Sequence, residues 1–263
     1  MVFDIKRVLD PCLLRDDSSR FFMKTKVHQI VMTMLDRLLP QFCQVCEKPS
    51  VFRLLCSTCL SQIKFLQPPF CNVCGIPLPT LNTGNRTICG NCSKMKHFIR
   101  KSRSLARYES PMKDVILAFK FQQKTYLVNE CVTLIEEHFC DINFFEYDYF
   151  IPIPLHPRKW NERKFNQALL LAERLGKKYK KRTLKNVLFK TLLTLPQSEL
   201  KREERLSNLK KAFELRNTAI IENKKILLID DIQTTRSTLI ECAKMLHRGK
   251  PQFIDSFTLA ATV

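Results

Sequence analysis

The chain has 263 residues, 45% of them hydrophobic, and its 44 lysines and arginines against 25 acids give a formal charge of +19. That length and apolar content can bury the core of one medium domain plus a small appendage, which excludes a disordered polyelectrolyte. The apolar runs are broken by charge well short of the roughly 18 to 20 residues a membrane span needs, and no signal-peptide core follows a basic start. A cytoplasmic protein without a transmembrane span is therefore expected.

Residues 1–40 form an N-terminal extension and helix. Residues 1–26 carry no readable motif, but Val27, Ile30, Val31, Met34, Leu35, Leu38 and Leu39 recur at helical spacing before Pro40. This pattern predicts a packing helix, with peripheral attachment to the inner face of a membrane as the alternative.

Residues 41–98 are Cys-rich. Eight of the 12 cysteines fall into C-x2-C pairs: Cys43 with Cys46, Cys56 with Cys59, Cys71 with Cys74, and Cys89 with Cys92. Two such knuckles complete a tetrathiolate for Zn(II), so one or two zinc ions are expected. The spacing leaves sequential and interleaved pairing open, and a redox dithiol or an iron–sulfur cluster is the competing chemistry. Turn residues, Gly75, Gly84, Gly90 and the prolines Pro68, Pro69, Pro77 and Pro79, leave little apolar core, so metal should supply folding energy. Cys12, Cys131, Cys140 and Cys242 fall outside the pattern and are expected to be core or incidental thiols.

Cations cluster in three places. One cluster contains Arg100, Lys101, Arg103 and Arg107; another contains Arg158, Lys159, Arg163 and Lys164 and continues to Arg182; the third, Lys201 to Lys211, is partly balanced by Glu203 and Glu204. Aromatic residues, Trp160 among them, are interleaved. This composition suits a single-stranded polyanion whose bases stack while its phosphates pair, and solvated lysine-rich faces are the plain alternative. Arg100, Lys101, Arg103, Arg107, Lys159, Trp160 and Lys164 are the nucleic-acid candidates.

From residue 99 the pattern alternates. Strands are predicted at 104–108, 149–153, 187–190, 226–229 and 253–260, and helices at 112–121, 126–139, 166–181, 199–211 and 235–247. This order implies an α/β fold, a mainly parallel sheet flanked by helices. The strand at Ile226 ends on Asp230 and Asp231, followed by Thr234, Thr235, Arg236, Ser237 and Thr238 at a helix start. Carboxylates suit vicinal sugar hydroxyls, and free N–H groups with hydroxyl donors at a helix N-terminus suit a phosphate. The stretch therefore predicts a ribose and phosphate site.

The run from Ile226 to Thr238 resembles the signature of type I phosphoribosyltransferases: apolar residues, Asp-Asp, two variable residues, then Thr-Thr-Gly-x-Thr. Arg236 stands at the glycine. Ile151-Pro152-Ile153-Pro154-Leu155-His156, Arg163-Lys164-Phe165-Asn166-Gln167, and then Gln197, Leu200, Arg205, Asn208, Ala212 and Phe213 follow the order and spacing of the ComF family. Lys164 also replaces a glycine usual in that family. The resemblance covers about residues 30 to 263. It implies a double zinc ribbon with sequential pairing, followed by a phosphoribosyltransferase-like domain over 99–263. It also implies a pocket for phosphoribosyl pyrophosphate or a related sugar phosphate with Mg(II), with Arg163, Arg158 and His156 as the pyrophosphate or anion candidates. The function it implies is handling of single-stranded DNA during natural transformation, beside a competence helicase or the inner-membrane uptake machinery. An active phosphoribosyltransferase is the alternative, although no acceptor base or nucleobase-specific hood is recognisable. Glycine serves where the backbone needs positive φ or must approach a ligand closely. If Arg236 occupies such a position it either strains the loop or opens it into another shape, with weakened or altered ligand binding, and the alternative is a direct guanidinium contact to phosphate.

Overall fold

In a computed structural model, residues 41–50, 53–78, 88–122, 124–155, 157–190 and 213–263 are described. The first part holds a short antiparallel pair, β1 (Gln41–Phe42) and β2 (Pro49–Ser50), and two short helices, α1 (Ser57–Ser61) and α2 (Gly90–Ser93). There follow β3 (Ser102–Arg107), α3 (Met112–Phe121), α4 (Leu127–His138), β4 (Tyr149–Pro152), α5 (Pro157–Arg163), α6 (Gln167–Tyr179) and β5 (Arg182–Thr183). A hairpin of β6 (Leu188–Lys190) and β7 (Phe213–Leu215) precedes β8 (Lys225–Gln233), α7 (Ser237–Leu246) and β9 (Phe253–Ala261).

Five strands form one sheet in the order β3-β9-β8-β4-β5, and every neighbouring pair is parallel. Burial on both faces explains the unbroken apolar run in β8. Leu227 and Ile229 pack with Phe150, Phe257 and Leu259 beneath α3, α4 and α6, while Ile226 and Leu228 pack with Ile151, Ile254 and the Leu239 and Ala243 side chains of α7. The free edge of β3 is covered by the chain at residues 64–66, through Leu66 N–H to Leu105 O at 3.0 Å and Arg107 N–H to Lys64 O at 2.9 Å.

The order of connection reverses between β4 and β8. From β4 the chain passes through α6 to β5 on one side, whereas from β8 it passes through α7 to β9 on the other. Ligand crevices of open α/β sheets lie at such a point, beyond the carboxyl ends of the strands. Here β4 ends at Pro152 opposite Ile229, but β8 continues to Gln233 with only β9 beside it among the described residues. Asp230 and Asp231 sit on that overhang.

The predicted strands and helices from 104 onward recur within a few residues, save the helix at 199–211. That helix, the one at 27–39, and Gln197, Arg205 and Asn208 lie outside the described residues. The short strands β5 and β7 and the helix α5 were not legible, since two or three residues carry no period and α5 is largely polar. Cys131 and Cys242 are buried thiols as expected, but Cys140 is disulfide-bonded.

Asp255, on β9, is fully buried and accepts from Arg100 Nε at 3.0 Å, Arg100 Nη2 at 2.6 Å, Lys101 N–H at 3.0 Å and Tyr147 O–H at 2.8 Å. Burial and the Asp255 charge push the Tyr147 phenol far above its usual range. Removing the carboxylate would leave the buried Tyr147 O–H and the Lys101 N–H without this acceptor and release the half-exposed Arg100. Asp255→Ala should lose roughly 3–5 kcal/mol in urea unfolding, whereas a loss below about 1 kcal/mol would mean that the network contributes no more than a surface pair.

Candidate anion site and metal centres

The cysteine pairs combine sequentially. Cys43, Cys46, Cys56 and Cys59 form one cluster and Cys71, Cys74, Cys89 and Cys92 another, and within each the sulfurs lie within 4.8 Å of one another. Cys46 to Cys56 and Cys74 to Cys89 are each 3.6 Å, too long for a disulfide and close to the about 3.8 Å edge of a tetrahedron built on ~2.3 Å zinc–sulfur bonds. Burial opposes ionisation of Cys43 and Cys71, yet backbone N–H groups of the knuckles outweigh it and bring both down to about 6. Burial and neighbouring sulfurs push Cys59 and Cys74 upward. Four sulfurs this close cannot all be thiolates without a cation among them, so the donor sets fit two zinc ions.

Neither knuckle cluster stands apart from the sheet. Cys43, Leu55, Cys59 and Ile63 belong to the same apolar cluster as Leu105, Val115 and Ile135. The second cluster leans on β3: Ser102 N–H donates to Val73 O at 2.7 Å, and Arg103 Nη1 donates to Cys71 O at 3.2 Å. Gly75 has φ of +72°, and a Cβ there would lie 2.4 Å from Ser102 O, so only glycine fits this contact.

At the overhang, Asp230 and the loop leading into α7 enclose a cavity of about 30 Å3 lined by Asp230, Thr234, Thr235, Ser237 and Thr238. Thr235 Oγ1 and Ser237 Oγ are 2.9 Å apart. Arg236 is the N-cap of α7, with φ 63° and ψ 1°, and its side chain makes no cap hydrogen bond. Lys164 has φ 65° and closes α5, with its N–H on Trp160 O at 2.6 Å. Of the two outcomes left open for Arg236 the structure shows the strained one, and Lys164 is left-handed as well, at a cost of order 1–3 kcal/mol each.

Asp230 also lines a neighbouring cleft of about 120 Å3, with Lys120, Lys159, Arg163, Gln167, Lys190 and Asp231. Lys120 Nζ pairs with Asp231 at 2.8 Å, and Asp231 N–H donates to Asp230 Oδ1 at 2.9 Å. Burial raises the Asp230 carboxyl to about 8 and the Asp231 charge adds to this, against the opposing effects of the Asp231 N–H and Lys120. Burial lowers Lys190, helped by Lys159; Lys190 makes no ion pair among the described residues, and its ammonium lies 5.4 Å from the Phe213 ring. Gln167 Nε2 is buried without a partner. The cleft thus holds an excess of cations and a free amide donor, which suits an anion carrying hydroxyls. It opens towards a depression of about 280 Å3 lined by Leu155, Trp160, Phe189 and Lys190.

The sequence candidates divide accordingly. Asp230, Asp231, Thr234, Thr235, Ser237, Thr238, Arg163 and Lys159 meet at the two cavities, with Trp160 beside them. Arg236 borders the small cavity, and its guanidinium points to Cys92 Sγ at 3.7 Å and Ser102 Oγ at 3.4 Å. Three of the nucleic-acid candidates are occupied within the fold. Arg100 is held by Asp255, Lys101 pairs with Asp141 at 3.3 Å, and Arg103 is buried against Asp141 and backbone carbonyls. Arg107 ends β3, and Lys164 is exposed after α5. His156 and the side chain of Arg158 lie outside the described residues. Lys120, Gln167 and Lys190 were missed as site residues. Asn166 caps α6, accepting from Ala168 N–H at 3.0 Å and donating to Ile153 O at 2.9 Å.

Two cysteine-knuckle metal centres joined to a parallel α/β sheet with an acidic, cation-lined crevice define the class of protein. A double zinc ribbon domain matches residues 34–93. The chain is 32% identical to competence protein F of Haemophilus influenzae over 215 residues, 78% of this chain and 90% of that protein. It is 29% identical to competence protein ComFC of Bacillus subtilis, over 89% of this chain and 95% of that protein, and 26% identical to the DNA utilization protein YhgH of Escherichia coli O6:H1, over 86% and 99%. The chain belongs to the ComF family. Among solved structures, a purine phosphoribosyltransferase from Pyrococcus horikoshii aligns with 54% of this chain and 75% of its own at 13% identity, with a TM-score of 0.31, too low to carry weight.

Metal analysis of protein purified without oxygen should find two zinc ions per chain, falling to one in Cys46→Ser, and a zinc-free protein would overturn the assignment. Asp230 supplies a pH test. Its carboxyl rises from an ordinary 3.8 to about 8, so the folded state binds a proton the unfolded chain releases. The stabilisation is complete below the lower value and is lost as pH rises through the upper one. Asp230→Asn should therefore gain melting temperature relative to wild type between about pH 5 and pH 9. A pH-independent difference would contradict the raised carboxyl.

Proposed function

We propose that this protein handles single-stranded DNA during natural transformation and seats a phosphoribosyl pyrophosphate-like sugar phosphate at the β8 overhang. The observation that carries the reading is the pair of abutting cavities that share Asp230. The hydroxyl-lined one at the start of α7 suits a 5′-phosphate, and the cation-lined one suits a pyrophosphate, near Arg163, Lys190 and the free Gln167 amide. Ribose hydroxyls then fall to Asp230 and Asp231. Mg(II) arriving with the pyrophosphate would neutralise part of its charge, and the same carboxylates offer it oxygen ligands. In this division of the chain, residues 41–98 are the zinc-ribbon module and 99–263 the phosphoribosyltransferase-like domain.

The rim of the cleft supports the nucleic-acid part. Trp160 is 44% exposed and Phe121 64%, Arg163 stacks over Phe121 at 4.9 Å, and Lys159 and Lys164 flank them. Flat rings beside cations are what a single strand needs, with bases on the rings and phosphates on the ammonium groups. The relatives' names, competence protein and DNA utilization protein, agree with this use. No helix among the described residues is long and apolar enough to cross a membrane. The reading places the protein in the cytoplasm, at the inner face of the membrane, beside a competence helicase or the uptake machinery.

A paired assay on the full chain tests both parts. Oligonucleotide titration should quench the fluorescence of Trp160, the single tryptophan, with an affinity that falls as salt rises. Trp160→Ala, read by anisotropy, should weaken binding about tenfold, within the 1–3 kcal/mol of one stacked base. Calorimetry should detect phosphoribosyl pyrophosphate binding in wild type and its loss in Asp231→Asn. Absence of DNA binding at low salt sinks the first part, and absence of calorimetric binding sinks the second. Pyrophosphate release with a defined acceptor would instead identify a transferase.

A further inference from the structure

Arg236 spends its guanidinium on the second cysteine cluster instead of on the cavity its backbone lines. Nη1 approaches Cys92 Sγ at 3.7 Å and Nη2 approaches Ser102 Oγ at 3.4 Å. Ser102 is itself fixed, accepting from Ser256 Oγ at 2.8 Å and donating its N–H to Val73 O, beside Cys74. A second tie leaves the same loop, where Gln233 Nε2 donates to Cys74 O at 3.4 Å. The phosphate loop therefore grips both knuckles of this cluster, one through Cys74 and the other through Cys92. No hydrogen bond or ion pair among the described residues joins the loop to the cluster of Cys43, Cys46, Cys56 and Cys59.

We propose that Arg236 is a positioning residue that couples metal occupancy of the second cysteine cluster to the shape of the sugar-phosphate loop. A zinc-bound thiolate carries negative charge and accepts from a guanidinium, whereas a neutral thiol is a weak acceptor. Zinc at this cluster thus strengthens the Arg236 link and holds the left-handed N-cap of α7, which forms the wall of the small cavity. Free-energy coupling is reciprocal, so an anion seated in the loop must stabilise zinc at this cluster and leave the first cluster unaffected. Arginine at a position where a glycine would relieve the backbone makes sense on this account, because the side chain compensates for the strain through a contact that glycine lacks. The second half of the inference rests on the sugar-phosphate reading above; the first half does not.

The test follows zinc release from the full-length, zinc-loaded chain to a chromogenic chelator. Glycine accepts the left-handed backbone, so Arg236→Gly should fold. It should speed release of one of the two ions about tenfold, the lower end of the effect of outer-shell partners, and leave the other unchanged, with Arg236→Lys in between. Cadmium NMR of the substituted protein should show one of two resonances moved in Arg236→Gly. Saturating phosphoribosyl pyrophosphate should slow the same phase in wild type and not in Arg236→Gly. Unchanged release in Arg236→Gly, or equal acceleration of both ions, overturns the link to Cys92. A ligand effect of equal size in both proteins overturns the coupling. If calorimetry finds no ligand binding, the sugar-phosphate reading fails, and the release and NMR comparisons still decide the role of Arg236.

Discussion

The site depends on one mismatch of length: β8 outruns β4. Beyond the pairing of Pro152 with Ile229, the β8 backbone keeps its ladder to β9 but has no strand on the other side among the described residues. A crevice opens there, and because the neighbouring layers still cover it, the two carboxylates on the overhang sit largely out of water. Two adjacent acids in such a place cannot both carry full charge unaided. Lys120 answers one of them, and the other holds its proton well above the ordinary carboxylate range. The crevice is thus neutralised from within, and its further cations, Arg163, Lys159 and Lys190, are left for something that enters.

The large positive charge takes on a different meaning once its locations are known. Part of it is structural. Arg100, Lys101 and Arg103 tie β3 and its approach to Asp255, Asp141 and the knuckle carbonyls, and Arg53 ties the first knuckle pair to Glu130 and Glu137 on α4. Another part, Lys159, Arg163 and Lys190, lies on α5 and around the crevice, next to exposed rings. Net charge alone attracts polyanions, but only cations not consumed within the fold can meet them, and several of those sit beside the acidic overhang.

The zinc centres serve as part of the scaffold. The first shares apolar packing with the main core, and the second presses on β3 and reaches the loop before α7. Loop-rich knuckles bury too little apolar surface to hold such positions alone, so metal chemistry supplies the rigidity that the sheet edge uses. This arrangement gives the left-handed Arg236 a physical reason: its side chain closes the gap between loop and knuckle.

The sequence by itself determined the alternating elements, the four cysteine pairs and the carboxylate-hydroxyl run, because each is a local pattern: a period along one segment or a fixed spacing. The sequence also marked Arg236 and Lys164 as glycine replacements, but whether the backbone would keep a left-handed turn or open into another shape was decided only by the fold. What only the tertiary structure decided was partnership. Lys120, Gln167 and Lys190 reach the crevice from three separate elements, Arg100 and Arg103 are consumed by acids far away in the chain, and Arg236 faces a sulfur instead of an anion. Which charge meets which depends on strand order and on β8 extending past β4, and no local pattern records a contact made across more than a hundred residues.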